Sequence, residues 1–354
     1  AGLAGLSALH RLTGHFAANP TQQPPQIAVI DKSRGLGGRL ATRRLPNDAA
    51  FDHGAQYIRA GAPGLQYLMG RAVRQGHAQR WDAPITNGPP LRADEDRPRY
   101  IGTPGMSAFG RFMLTEGERL GKVAGIEVER HRQAEITTLA HGENSWLLED
   151  QSGYQLGPYD QVIMAIPAPQ AATLLASIDG PMADTLTDLK KAAMTPMVPC
   201  WSAMIAFDQP LPLDSHALDL KDADSPLVWV AQNQRYEPAK GAVTGPANWY
   251  GYVLHAKPDW SSAHLDDDPD AVLTALLGAL QEVVGQTLPA TLHKAAHRWR
   301  YAFAPEALGR PCHGSPTGQM ILAGDWCLGN RAESAYLSGV AAADMAIDMM
   351  KAAS

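Results

Sequence analysis

Residues 1–12 read AGLAGLSALHRL and residues 27–44 read IAVIDKSRGLGGRLATRR. The first stretch spaces glycines through what reads as the start of a helix. The second runs from four apolar residues into an acid, then into glycines and arginines. A chain that wraps a dinucleotide needs glycines of the form G-x-G-x-x-G at its first strand-to-helix turn. The second glycine lets the backbone approach a pyrophosphate, and the third lets helix and sheet pack closely. The helix N-terminus supplies amide donors and a partial positive charge. Gly2 and Gly5 match the second and third glycines, so the first glycine and its strand are expected ahead of residue 1.

Asp31 closes IAVI (27–30), an all-apolar run with the character of a parallel strand buried on both faces. A carboxylate there accepts hydrogen bonds from a ribose. It lies 29 residues after Gly2, where about 20 is usual, and HFAANPTQQPPQ (15–26) reads as a loop insertion that accounts for the difference. The plain alternative is a helix and a strand with an exposed aspartate. Beyond the acid, Gly35, Gly37 and Gly38 let the chain run tightly past a ligand. Arg39 can fork two hydrogen bonds onto a phosphate. Arg43 and Arg44 fit equally a solvated basic turn.

Working outward, residues 2–13 read as a helix, and so does PGMSAFGRFMLTEGERL (104–120). EITTLA (135–140) and WLLED (146–150) read as a strand pair around HGENS, and QVIMAIPAPQAATLL (161–175) as a buried strand, a turn and a helix. Between residues 197 and 300 the character changes to aromatic-rich strands: WSAMIAFD, LVWVAQN, WYGYVLH and LHKAAHRWRYAF. Among them DPDAVLTALLGALQEVVG (268–285) is a helix with Asp268 as cap and Pro269 at its first position. MILAGDW (320–326) returns to a buried strand, and AYLSGVAAADMAIDMMKAA (335–353) is a closing helix.

The expected fold is therefore α/β. A Rossmann-like dinucleotide domain is assembled from residues 1–60, 121–185 and 312–354, and an α+β substrate domain from 61–120 and 186–311. At roughly 100–200 residues per domain, 354 residues agree with two. A hydrophobic content of 45% permits sizeable cores. Net charge is −6, which argues against nucleic acid and anionic membrane surfaces as partners. No uncharged apolar run reaches the 18 or so residues of a membrane span, and no signal peptide is visible. Cys200, Cys312 and Cys327 form neither a disulfide framework nor a metal-ligand spacing, which suits a reducing, cytoplasmic setting. No metal is expected.

Taken together, DKSRGLGGRLATRR, FDHGAQYI, WVAQNQ, HRWRYAF and GDWCLGNRAESAYLSG resemble the renalase-like branch of FAD-dependent oxidoreductases, relatives of the flavin amine oxidases. The resemblance covers nearly the whole chain. It implies non-covalent FAD, a fold like that of p-hydroxybenzoate hydroxylase, and a monomer. It also implies oxidation of a small reduced substrate with O2 as acceptor. In bacterial members the substrates are off-pathway dihydro-NAD(P) isomers, and the products are NAD(P)+ and hydrogen peroxide. Carried onto this chain, it places Gly2, Gly5, Asp31, Lys32, Arg34, Gly38 and Arg39 at the adenosine and pyrophosphate. Gly54, Ala55, Gln56 and Tyr57 fall beside the isoalloxazine, and Ile136 at adenine. Asp325 meets the ribityl or phosphate region, and amides near Ala335 and Tyr336 meet the pyrimidine edge. Several have ordinary alternatives: Lys32 a surface charge, Ile136 strand core, Asp325 a helix cap.

Substrate residues are sought on the aromatic strands. Trp229, Trp249, Tyr252, Trp299 and Tyr301 offer walls for a flat ring, or simply a sheet core. His255 and Asn233 are polar groups ending apolar runs, where they face either a cavity or structural partners. Arg298 and Arg300 share a strand face, from which one can meet a substrate phosphate, Arg300 being the candidate, or both simply face solvent. No G-x-S-x-G, HExxH or P-loop is present, which agrees with hydride transfer that relies on positioning. A flavin amine oxidase acting on a small amine is the neighbouring alternative. A flavin or nucleotide sensor without turnover is a third. Cys327 sits outside the small-residue turn that carries covalent flavin in such oxidases.

Overall fold

Helix Leu3–Ala18 begins directly at Gly2 and runs five residues beyond the expected end. HFAA has no helix breaker, so the loop starts only ahead of Pro20, whose ring disfavours helical backbone at the residue before it. The computed structural model describes residues 1–46, 49–87, 97–142, 144–233 and 248–353. Gln234 of WVAQNQ and Glu143 of HGENS lie outside the described residues.

The chain divides into two units: Ala1–Gly38, Gly110–Met197 and Ala304–Ser354 in the first, Arg39–Phe109 and Val198–Phe303 in the second. The boundaries depart from the expected ones. Residues 39–60 join the second unit, while 110–120, 186–197 and 304–311 join the first. The cause for residues 39–60 is local packing: Phe51 fits against the aromatic sheet beside Met204 and Trp249, and Arg39 donates to the Ala302 carbonyl at 2.5 Å.

In the first unit, strand Ile27–Asp31 lies parallel to Val128–Arg132, with Asp31 opposite Arg132. Strand Val162–Met164 lies parallel to Met320–Leu322, which His313–Gly314 joins antiparallel. Strands Ile136–His141, Trp146–Asp150 and Gln155–Tyr159 form an antiparallel sheet in sequence order. One core gathers Trp146, Met164, Leu175, Leu189 and Trp326. The Trp326 indole satisfies its N–H on the Ile166 carbonyl at 3.0 Å, as a buried indole should. The closing helix is Ala332–Ala353. It crosses the first helix at backbone distance, for a Cβ on Gly339 would lie 2.0 Å from the Ala4 carbonyl oxygen. The Ala-rich composition of both helices permits this approach.

In the second unit, a six-stranded sheet has the order Thr291–Phe303, Val198–Phe207, Tyr250–Ala256, Leu227–Gln232, Ala217–Asp219 and Ile85–Thr86. Side chains alternate between its faces. One face carries Trp201, Ile205, Phe207, Tyr252 and Leu254 under helix Pro269–Val284. That helix is capped as the sequence predicts: the Asp268 carboxylate accepts from the Asp270 and Ala271 amides, and Gly285 closes it at φ 74°. The opposite face carries Ser202, His255 and His297 in one cross-strand row. Smaller sheets pair Thr42–Arg44 with Ala50–Asp52, and Arg99–Gly102 with both Ile58–Arg59 and Ala78–Arg80. Helix Pro63–Arg74, which the sequence reading missed, starts with proline at its first turn. Among the described residues no helix is long and apolar enough to cross a membrane.

Candidate functional site

Each unit assembles its own constellation. In the first, the two glycine stretches meet. The Gly37 amide donates to the Ala1 carbonyl at 3.0 Å, and Gly2 bridges Gly37 in parallel. Gly38 takes φ +56°, where a Cβ would stand 3.1 Å from the Gly2 Cα. Helix Ser107–Ala124 presents Gly110 to the same turn: a Cβ there would stand 3.0 Å from the Gly37 Cα. Gly5 abuts Ala165, with 3.3 Å between a Cβ there and the alanine methyl. The first helix therefore opens beside a strip of bare backbone. Its N-cap is an extended glycine with no side-chain cap, so its first amide donors are left for a partner beyond the helix. That donor set, with an acid at the end of the first strand, fits the pyrophosphate and ribose of a dinucleotide.

The other expected first-unit residues divide. Asp31 accepts from the Ser33 amide at 2.7 Å through Oδ1. Lys32 pairs with Glu135 at 3.4 Å on the surface, and Arg34 is exposed. Ile136 packs against the core around Trp146. Asp325 is buried, and its backbone carbonyl accepts from the Leu328 and Gly329 amides at 2.9 and 2.7 Å. Tyr336 is buried. The Ala335 amide is spent within the helix on Arg331 at 3.2 Å, so the donors of this helix end lie ahead of Ala335, not at it. Cys327 is free and fully buried. Burial pushes its thiol up to about 12, far from the thiolate a covalent attachment would use.

In the second unit the segment Phe51–Tyr57 lies on the histidine-bearing face of the sheet. The His53 ring stacks on Trp299 at 5.1 Å and meets His297 edge-on at 4.8 Å. Its carbonyl accepts from Trp299 Nε1 at 3.0 Å and pairs with His255 Nε2 at 3.2 Å. That pairing assigns the Nε2 proton of His255. Burial, reinforced by His297, pulls His53 down to about 3. Burial also lowers His293 and His297, with Arg43 adding to both. These three histidines are accordingly uncharged at neutral pH. The Phe51 backbone pulls weakly the other way on His53, and the buried Ser202 Oγ has no hydrogen-bond partner among the described residues.

The turn is rigid. Gly54 admits no side chain, because a Cβ would sit 2.0 Å from the Arg39 carbonyl oxygen, which also accepts from the Ala55 amide at 2.8 Å. Gln56 donates to the Asp52 and Gly54 carbonyls at 2.5 and 3.2 Å. The Asp52 carboxylate accepts from Thr42 Oγ1 at 2.6 Å and the Met106 amide at 2.9 Å.

The sheet thus brings Trp299 and His255 together at His53, while the other candidates fall elsewhere. Asn233 works as a clamp: its Oδ1 accepts from the Asp52 amide at 3.0 Å and its Nδ2 donates to the Ala50 carbonyl. Arg300 leaves the cluster altogether, because strand alternation places it on the face opposite Trp299. There it shares Asp266 with Arg298, at 3.0 and 2.8 Å. Tyr252 belongs to the core under the helix and Trp249 to the core around Phe51. Tyr301 is half-buried, past an irregular step in strand register. Residues missed from sequence are His53, Ser202 and His297. The first and last stand inside quoted motifs, whereas Ser202 carries no signal except its place on the strand.

Comparison with known proteins agrees with this architecture. Residues 1–71 match the NAD(P)-binding Rossmann-like domain, and residues 91–347 match the flavin containing amine oxidoreductase family. A protein from Exiguobacterium sp. 255-15 assigned as a protoporphyrinogen oxidase has a similar structure, with TM-score 0.65 and 14% identity over 99% of this chain and 97% of that one. An oxidoreductase from Methanosarcina mazei gives 0.66 and 12%, over 97% and 98%. A double mutant of putrescine oxidase redesigned in its cofactor binding gives 0.58 and 12%, over 99% and 97%. At such identities the structures speak for the fold, while the family match spans most of the sequence. The chain belongs to the flavin containing amine oxidoreductase family, an α/β flavoenzyme family, and its cofactor is FAD.

Proposed function

We propose that the protein oxidises a small reduced heterocycle, a dihydro-NAD(P) isomer with its hydride at an off-pathway ring position. The products are NAD(P)+ and hydrogen peroxide. The observation that carries this reading is the neutral cluster His53–Trp299–His297, with His53 pulled down to about 3. Such a group is too weak a base to drive a proton abstraction at neutral pH. A dihydropyridine needs none, because its ring becomes aromatic on giving up a hydride. Flat aromatic walls and the buried Ser202 hydroxyl, unpaired among the described residues, suit stacking of the ring and a hydrogen bond to its carboxamide.

Bound FAD supplies the two-electron acceptor and passes the pair to oxygen. The substrate releases two electrons and one proton, and oxygen takes both electrons with a second proton from solvent. In this reading the first unit holds the ADP moiety through Gly2, Gly5, Asp31 and Gly38, with Asp325 a further candidate ligand. Substrate recognition belongs to the second unit.

Anaerobic stopped-flow mixing tests the reading with a panel of dihydro-NAD(P) isomers and simple amines. The flavin absorbance is expected to bleach within seconds with an isomer and to stay unchanged with amines. Bleaching by amines alone overturns the reading in favour of an amine oxidase.

A further inference from the structure

A second constellation in the same unit adjoins the histidine-bearing face, since Trp229 stands opposite His255 in the sheet, but takes no part in hydride transfer itself. Strand Ile58–Arg59 sets Arg59 directly opposite Arg99, and like charges so placed repel. Arg99 is only 3% exposed. Its Nη2 donates to the Ala83 carbonyl at 2.9 Å, while Nε and Nη1 are buried with no hydrogen-bond partner among the described residues. The guanidinium lies 5.0 Å from the Trp81 ring and 5.9 Å from the Tyr57 ring. Tyr57 in turn stands 6.0 Å from Trp229, whose indole N–H is also buried and without a partner among the described residues. Asp82, whose field reaches Arg99, is engaged by Arg80 at 2.8 Å. Ring faces offset part of the cost of burying this cation. They leave two buried donors without a partner among the described residues, which is costly in the absence of an acceptor.

We propose that Arg99, faced by the Tyr57 and Trp81 rings with Trp229 beyond Tyr57, is a binding site for the oxyanion of a small molecule, a carboxylate or a phosphate carried on a flat group. Nε–H and Nη1–H leave the guanidinium from different edges, so each offers its own charge-assisted hydrogen bond to an oxyanion oxygen, and the rings stack on the group that bears it. The site does not depend on which reduced compound feeds the flavin. It confines that compound, or a regulator, to anions.

Equilibrium titration of the FAD-loaded protein tests it without turnover. Benzoate and inorganic phosphate are added at constant ionic strength against chloride, with tryptophan fluorescence and Tm as readouts. Saturable binding of either probe is expected in the wild type; benzoate alone identifies a carboxylate site and phosphate alone a phosphate site. Binding weakens about tenfold or more in Arg99→Gln, with Arg99→Lys between, since the charge survives but the planar donor set does not. Should Arg99→Gln fail to fold, Trp229→Phe removes a neighbouring donor and is expected to weaken binding severalfold. Absence of saturable binding in the wild type, or equal binding by Arg99→Gln (by Trp229→Phe where that variant stands in), overturns the proposal.

Discussion

Acidification from pH 7 to pH 5 protonates His53 in the unfolded chain but not in the folded one. Its ordinary value is 6.5, and burial with the neighbouring His297 holds it near 3 in the fold. A depressed histidine contributes stability that is whole above its unfolded value and erodes as pH falls toward its folded value. The window is therefore about pH 6.5 down to about 3. Linkage at 1.36 kcal/mol per unit gives a loss of about 2 kcal/mol between pH 7 and 5. For a chain of this length that is a fall in Tm of about 3 °C. The assay compares thermal unfolding of wild type and His53→Phe at both pH values with excess FAD. Phenylalanine keeps a ring on Trp299 but cannot titrate. His293 and His297 remain in the variant and are depressed in the same direction, so it still weakens in acid, by about 2 kcal/mol less. Equal acid losses in the two proteins, or a His53 ring that titrates near 6.5 by NMR, would refute the argument.

Other expectations are as direct. Gly339→Ala puts a methyl within 2.0 Å of the Ala4 carbonyl oxygen and should cost about 3 kcal/mol or more, read as lost Tm or insoluble expression. Gly278→Ala, on the exposed side of a helix with nothing within 4 Å, should raise stability by about 0.5–1 kcal/mol in the same assay. Asn233→Ala strips partners from the Ala50 carbonyl and the Asp52 amide, and denaturant titration should show a loss of about 1–3 kcal/mol. Asp268→Ala removes the helix cap and should cost about 1 kcal/mol by the same measurement.

What could be read from the residues in order was local. Glycine spacing followed by an apolar run and an acid announces a dinucleotide turn, because only bare backbone lets a phosphate approach an amide. The Asp268-Pro269 start and the Ala-rich final helix follow from capping and from the tolerance of small side chains at a close helix crossing. Those features are chemical properties of neighbours in the chain. Tertiary structure decided everything that depended on which distant residues meet. Nothing near Asn233 in sequence announces Ala50 and Asp52 as its partners. Only strand register separates Arg300 from Trp299, and only the packing of Phe51–Tyr57 onto the sheet buries His53 deeply enough to keep it uncharged. Arg99 stands in an unremarkable run of polar residues. Its character comes from a facing arginine and two rings contributed by separate segments, because burial and field are sums over neighbours in space.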